Sequence, residues 1–97
     1  MSLKERLQED LKSSMKNKET VKKSVITLIR ASIKQYEVDN RVELDEEGII
    51  DLISKQLKQR NDALEEFKKA NRDDLVSETE AEIKVLKEYL PQQLSEE

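Results

Sequence analysis

One glycine and one proline in 97 residues constrain this chain more than any other feature of its sequence. Tight turns and strand boundaries depend heavily on these two residue types, so a chain with only Gly48 and Pro91 has few means of forming a strand-rich fold. Ala, Glu, Lys, Leu and Arg fill about half of the positions, as is typical of long helices. The composition therefore predicts an all-α fold, and the length predicts a single domain with a thin core.

Apolar residues at three- and four-residue spacing predict four helices, near residues 3–16, 20–38, 46–70 and 74–90. The side chains expected to face inward are Leu3, Leu7, Leu11, Met15, Val21, Val25, Ile26, Leu28, Ile29, Ile33, Tyr36, Ile49, Ile50, Ile53, Leu57, Leu64, Phe67, Leu75, Val76, Ile83, Leu86 and Leu90. No segment keeps strict heptad spacing long enough for a coiled coil. A small bundle of about four helices is therefore predicted.

Polar residues at the predicted helix starts have the identities of helix caps. Ser2 and Glu5 have the spacing of a capping box for the first helix, and Asp45 precedes the third. Either Asp73 or Asp74 is expected to cap the fourth helix in the same way. These residues set the expected helix boundaries.

The three aromatic side chains, Tyr36, Phe67 and Tyr89, lie on the apolar stripes of the predicted helices. We expect them to be core residues rather than platforms on which nucleic-acid bases stack. Phe67 in particular is expected to be substantially buried, so that its truncation to Ala would cost about 3 kcal/mol.

The residue types present exclude several kinds of chemistry. The sequence contains no His and no Cys, so it lacks the usual zinc ligands and the imidazole general base. The acidic cluster between residues 43 and 51 lacks the ordered spacing of an EF-hand loop, and helix capping accounts for several of its members. The sequence has neither a glycine-rich phosphate loop nor a nucleophile motif. We therefore expect no catalytic residue, no cofactor and no metal in this chain.

The sequence also bears on the location of the chain. It has no run of ~18 apolar residues that would span a membrane, and its first residues lack the apolar core of a signal peptide. We therefore expect a chain without membrane partners, located in the cytoplasm.

The stretch from Lys55 to Leu94 contains a specific series of motifs. In order, these are Lys58-Gln59-Arg60, Phe67, Ala70-Asn71-Arg72-Asp73-Asp74-Leu75, Glu82-Ile83 and Tyr89-Leu90-Pro91-Gln92-Gln93-Leu94. The series resembles the YqeY family, and the resemblance extends over essentially the whole chain. It implies that residues 1–97 form the N-terminal helical domain. Pro91 is expected to end the fourth helix, because a proline disfavours helical geometry at the residue before it. Members of the family typically continue into a second, smaller helical domain, which lies outside this chain and is shared with the tail of the B subunit of the tRNA-dependent amidotransferase.

The same resemblance implies a function. It suggests a non-catalytic helical module that is accessory to amidotransferase-type chemistry, a carbon–nitrogen ligation with glutamine as amide donor, through association with tRNA. The alternative is a protein-interaction module with no RNA role.

Charge alternates in blocks along the chain. The net charge is −1 over residues 1–11, +6 between residues 12 and 34, −6 between 37 and 51, +3 between 52 and 72, and −6 between 73 and 97, for a total of −4. One interpretation is a basic face on the second and third helices that contacts an anion such as RNA phosphate. Its candidate residues are Lys22, Lys23, Lys55, Lys58, Arg60 and Arg72. The other interpretation is a solvated surface whose opposite charges balance across the bundle, with Arg72 bonding the end of the third helix or pairing with Asp73 or Asp74.

Overall fold

A computed structural model describes residues 2–90 of the chain. Its helices are α1 (Leu3–Lys16), α2 (Thr20–Asn40), α3 (Glu46–Lys69) and α4 (Asp73–Glu88). The described residues contain no strand, and the predicted all-α bundle is confirmed. The predicted boundaries agree with these to within two residues. Pro91, the expected terminator of the fourth helix, lies outside the described residues.

The four helices are arranged as two hairpins. α1 packs along α2, α3 packs along α4, and α2 also contacts both α3 and α4. α1 therefore lies at the periphery of the bundle, and α2 occupies its centre.

All three connections between helices turn through a left-handed residue without using glycine. Lys18, Arg41 and Asn71 have φ of 57°, 54° and 57°. Each is followed by an amide that bonds back to a carbonyl in the last turn of the preceding helix, at 2.8 to 3.2 Å. This is the Schellman pattern, which satisfies carbonyls left unpaired at a helix end. The chain therefore makes sharp turns despite its single glycine.

The hydrophobic core is formed by residues of all four helices. Its buried members are Leu3, Leu7, Val25, Ile26, Ile29, Ile33, Ile49, Ile53, Val85, Leu86 and Tyr89. Three positions predicted to face inward are exposed instead, namely Met15 (53%), Leu28 (42%) and Tyr36 (45%). They lie at the edges of the apolar stripes of α1 and α2, where no neighbouring helix covers them. The predicted inward placement of these three side chains is therefore wrong.

Phe67 was also expected in the core, and this expectation is wrong. The side chain is only partly buried and is not among the residues that pack against the core. Leu57 is the last residue of α3 that does so, and Phe67 follows it by ten residues, or about 15 Å along the helix. The far end of the α3–α4 hairpin thus extends past the core, and Phe67 lies on that extension.

Two of the predicted helix caps are confirmed. The Ser2 side chain accepts a hydrogen bond from the Glu5 amide, and Glu5 accepts one from the Ser2 amide, which completes the capping box. The Asp45 carboxylate accepts from the Gly48 amide at 2.8 Å. A Cβ at position 48 would lie 2.6 Å from Leu44 Cδ2, so the lack of a side chain there permits the close approach of Leu44.

The predicted cap of the fourth helix is wrong. Arg72 occupies the N-cap position without a side-chain bond, and Asp73 and Asp74 lie in the first turn. The Schellman turn at the end of α3 uses the Arg72 amide, so α4 begins at the next residue. The two carboxylates still favour the helix start through its dipole.

Candidate functional site

The packing of the helices separates the charges into two poles. Residues 2–41, which form the α1–α2 hairpin, contain ten cations and six anions, whereas residues 42–90 contain eight cations and fourteen anions. The net charges are thus +4 and −6. The basic residues between 52 and 72 belong to the α3–α4 hairpin, where carboxylates outnumber them, so the positive pole by net charge is the α1–α2 hairpin.

Three of the six predicted binding residues are paired with carboxylates inside the bundle. Lys22 Nζ lies 3.8 Å from Glu88, and Arg72 Nη2 lies 3.3 Å from Asp74, whose pKa it lowers by hydrogen bonding. The third, Arg60, pairs with Glu82 in a partly buried contact. The pairing of Arg72 with Asp74 agrees with the interpretation in which Arg72 balances a nearby carboxylate and does not bind an anion.

Arg60 pairs with Glu82 across the α3–α4 interface. Its Nε lies 2.9 Å from Glu82 Oε1, and the two side chains are 24% and 22% exposed. The buried Nε–H does not point at this oxygen, so the contact is an ion pair without a well-formed hydrogen bond. Both residues belong to motifs of the resemblance, and the structure gives them a common role in holding α3 against α4.

The other three candidates, Lys23, Lys55 and Lys58, are exposed and have no salt bridge within residues 2–90. The structure does not bring them together. Gln56 of α3 donates to Ser32 of α2, and Lys23 lies nine residues from Ser32, about half a turn around the helix axis. Lys23 therefore lies on the side of α2 that faces away from α3. Lys55 and Lys58 are on α3. That these residues bind an anion stays a prediction.

Two cations that the sequence analysis did not single out, Arg30 and Lys34, lie on the same side of α2 as Lys23. Arg30 follows Lys23 by seven residues, and Lys34 follows Arg30 by four. This helical spacing could have grouped the three cations from the sequence. Arg30 and Lys34 line a hollow of about 540 Å³ between α1 and α2, together with Lys4, Leu7, Gln8, Ala31, Ile33 and Glu37. A second hollow of about 440 Å³ lies at the α1–α2 turn and is lined by Ser14, Met15, Lys18, Glu19, Thr20 and Lys23. We name the two hollows together the α1–α2 groove.

One end of the α1–α2 groove is closed by a charge pair. Lys4 Nζ lies 2.6 Å from Glu37 Oε2, which also accepts a hydrogen bond from the Leu44 amide at 2.8 Å. The Lys4 contact, followed by the amide bond, lowers the pKa of Glu37. Glu37 is thus already neutralised, whereas Arg30 and Lys34 have no salt-bridge partner among the described residues.

Tyr89 ties α1 to the end of α4. It is 3% exposed, and its hydroxyl donates to Asp10 Oδ2 at 2.6 Å. The Arg6 guanidinium lies 4.7 Å from the centre of the ring, and its Nη2 donates to the Glu88 carbonyl at 3.1 Å. Burial, and next the Asp10 bond, raise the pKa of Tyr89 far above its ordinary value. The expected placement of Tyr89 in the core is confirmed.

Two further observations concern the described residues only. None of the four helices is long and apolar enough to cross a membrane. Between residues 2 and 90, no three carboxylates converge closely enough to hold a metal ion.

Two helical hairpins of opposite net charge, joined through a shared core, define a small helical module. The family of Yqey-like proteins matches residues 4–97, and the chain belongs to this family. A similar protein of Lachancea thermotolerans, named altered inheritance of mitochondria protein 41, mitochondrial, is 44% identical over 89% of this chain and 46% of its own length. Proteins of the same name from Candida glabrata and Kluyveromyces lactis are 40% and 38% identical, over 87% and 86% of this chain and 47% and 45% of their own. The chain spans about half the length of the curated relatives it matches.

These names contradict the cytoplasmic location predicted from the sequence, because each of the three relatives is named as mitochondrial. The prediction rested on the lack of an apolar span and of a secretory signal. Neither criterion distinguishes the cytoplasm from the interior of a mitochondrion.

Proposed function

We propose that this chain is a non-catalytic module that associates with tRNA weakly and electrostatically, in a protein accessory to amidotransferase-type chemistry. The observation that supports the proposal is the separation of charge between the two hairpins. The link to amidotransferase chemistry comes from the family resemblance, and the affinity for RNA comes from the positive pole.

The positive pole carries cations that are available to a ligand. The exposed cations of the α1–α2 hairpin without a salt bridge inside residues 2–90 are Lys12, Lys16, Lys18, Lys23, Arg30, Lys34 and Arg41. Each contact with a phosphate releases condensed counterions, so affinity should fall steeply as salt rises. The acidic α3–α4 hairpin repels a polyanion and therefore orients RNA toward α1 and α2.

The test is binding of the chain to unfractionated tRNA, measured by fluorescence anisotropy at several salt concentrations. The variant Lys23→Ala/Arg30→Ala/Lys34→Ala should weaken binding roughly tenfold and reduce the salt slope by about two to three. The matched control is Lys84→Ala/Lys87→Ala, which removes cations from the acidic hairpin and should be nearly neutral.

A second control decides where RNA binds. Lys55→Ala/Lys58→Ala removes exposed cations from α3, where the sequence alone placed part of the binding face. If this variant weakens tRNA binding as much as the α2 variant, the positive pole is not the binding surface. If the wild-type chain ignores tRNA at low salt, the RNA proposal fails entirely.

The alternative of a protein-interaction module is favoured by one specific observation. The α1–α2 groove combines unpaired cations with an apolar floor, and phosphate recognition makes no use of such a floor.

A further inference from the structure

We propose that the α1–α2 groove is the docking site for an acidic amphipathic helix of a partner protein. This inference rests on the protein-interaction alternative, and binding of RNA in the same groove is an outcome of the test.

The shape of the α1–α2 groove fits a helix. On α2, Thr20 and Lys23 line the second hollow and Arg30 to Glu37 line the first, so the two hollows together span 17 residues, or about 25 Å, with residues 24–29 between them. On α1, the lining runs along one side from Lys4 to Met15. The ridges of two packed helices leave a seam between them, and a third helix can pack into such a seam. A guest of about 16 to 18 residues would fill the length available.

The groove opens on the side of α2 that faces away from α3. Ser32 marks the side that faces α3, because it accepts a hydrogen bond from Gln56 at 3.0 Å. Arg30 and Lys34 are each two residues from Ser32, about 200° around the helix axis. Beside Arg30 and Lys34 a ligand would therefore face away from α3. At the Lys4 end it would approach the start of α3, where Glu46 accepts a hydrogen bond from the Leu3 amide and Glu43 lies 4.0 Å from Lys4 Nζ.

The floor of the groove is apolar. Leu7 and Ile33 line the bottom of the first hollow, but they are 0% and 5% exposed and so offer a ligand little surface. Ala31 is exposed in the first hollow and Met15 in the second, and Met15 leaves 53% of its surface uncovered. A docked helix would cover Met15, which no helix of the bundle covers. The apolar stripe of an amphipathic helix is the complement of such a floor.

The charges at the rim select an acidic partner. Lys23, Arg30 and Lys34 follow one side of α2 and have no salt bridge within the described range. Glu37 is occupied by Lys4, and Glu19 lies at the far end. Carboxylates flanking the apolar stripe of a guest helix would neutralise the three cations.

The aromatic residues favour a helix over single-stranded RNA as the occupant. Recognition of single-stranded RNA commonly stacks bases on aromatic side chains. Tyr36 lies one turn from Ser32, on the α3 side of α2, Phe67 is on α3, and Tyr89 is 3% exposed. The groove therefore offers cations and an apolar floor without a stacking platform.

The probe is a fluorescein-labelled synthetic peptide of 18 residues, with a stripe of Leu flanked by Glu at helical spacing. A scrambled peptide of the same composition has the same charge without the amphipathic pattern. Anisotropy should show the patterned peptide binding at least about tenfold more tightly than the scrambled one. Amide shifts in a ¹H–¹⁵N spectrum should change chiefly along Lys4–Met15 and Thr20–Glu37.

Three variants locate the contact. Arg30→Glu/Lys34→Glu should weaken peptide binding about tenfold or more, whereas the matched reversal Lys55→Glu/Lys58→Glu should change it by less than about twofold. Met15→Gln removes apolar contact without changing charge, and should weaken peptide binding about threefold while leaving tRNA binding unchanged. All five positions are exposed, and circular dichroism checks that each variant keeps its helices.

Results other than those expected would overturn either the docking site or the tRNA proposal. Equal affinity for the scrambled peptide, no binding of the patterned peptide, or an equal loss in the Lys55/Lys58 variant overturns the docking site. If tRNA binds the groove and displaces the peptide while Met15→Gln affects neither ligand, the groove is an RNA surface, and only the tRNA proposal stands. If the peptide binds with the expected pattern and tRNA does not bind, the tRNA proposal fails and the docking site stands.

Discussion

The hydrogen bond between Tyr89 and Asp10 should be one of the strongest single polar contacts in the bundle, and Tyr89→Phe removes it alone. The oxygens are 2.6 Å apart, and the ring is 3% exposed. Phe retains the ring, its packing and the stacked guanidinium of Arg6. The substitution therefore isolates the bond that joins α1 to the end of α4.

The expected cost follows from the surroundings of the two groups. A hydrogen bond to a charged group contributes about 1.5 to 3 kcal/mol. The Asp10 side chain is 28% exposed and lies 3.8 Å from Arg6, so water and Arg6 partly compensate the carboxylate after the change. We therefore expect about 1.5 kcal/mol, at the lower end of the range. For a domain of this size, the melting temperature should fall by about 6 to 12 °C.

The assay is urea unfolding of the wild type, Tyr89→Phe, Asp10→Ala and the double variant. The four free energies of unfolding give the coupling between the two side chains, which should be about 1 kcal/mol or more. A coupling below about 0.3 kcal/mol would refute the reasoning, because the two changes would then be independent.

Alkaline pH supplies a second readout of the same contact. Burial and the Asp10 bond raise the pKa of Tyr89 in the folded state above the ordinary value of 10.0. The folded chain thus favours the neutral phenol, and the corresponding stability is fully present below pH ~10 and is lost as the pH rises above it. The wild type should therefore lose more stability than Tyr89→Phe in this range, and parallel losses would contradict the contact.

Three further predictions concern the stability of the bundle, each measured by urea unfolding. Ile29→Ala should cost about 3 to 4 kcal/mol because the side chain is fully buried. Phe67→Ala should cost about half as much because Phe67 lies outside the core. Equal costs would place Phe67 in the core after all. Arg60→Ala should cost about 1 kcal/mol because its ion pair is partly buried. Arg72→Ala should cost less because its pair with Asp74 is exposed, and the reverse order would argue against these pairings. Glu37→Gln should be destabilising at neutral pH, because the lowered pKa of Glu37 contributes stability at pH values above 4.5, its ordinary pKa. The difference in stability from the wild type should disappear as the pH falls below 4.5 and through the lowered pKa. A difference that persists in acid would show that packing, rather than charge, is responsible.

The local structure of this protein could be predicted from its sequence because the determinants are close together along the chain. Apolar spacing of three and four residues predicted all four helices, and the Ser2 and Asp45 caps were recognised from residues within one turn. The fourth cap was misplaced because the turn before it depends on the left-handed Asn71, and a non-glycine residue gives only a weak signal for that conformation.

The arrangement of charge was decided by the tertiary structure. Arg60 of α3 looked available in the sequence, but it pairs with Glu82 of α4, whereas Lys55 and Lys58 of the same helix remain exposed. Lys23 faces away from Lys55 and Lys58, while Arg30 and Lys34 border a groove that exists only because α1 folds back along α2. An apolar stripe determines that a helix buries one face, but many pairs of stripes are mutually compatible. Which helices pack together, and hence which charges are neutralised and which remain exposed, follows from the shared core of all four.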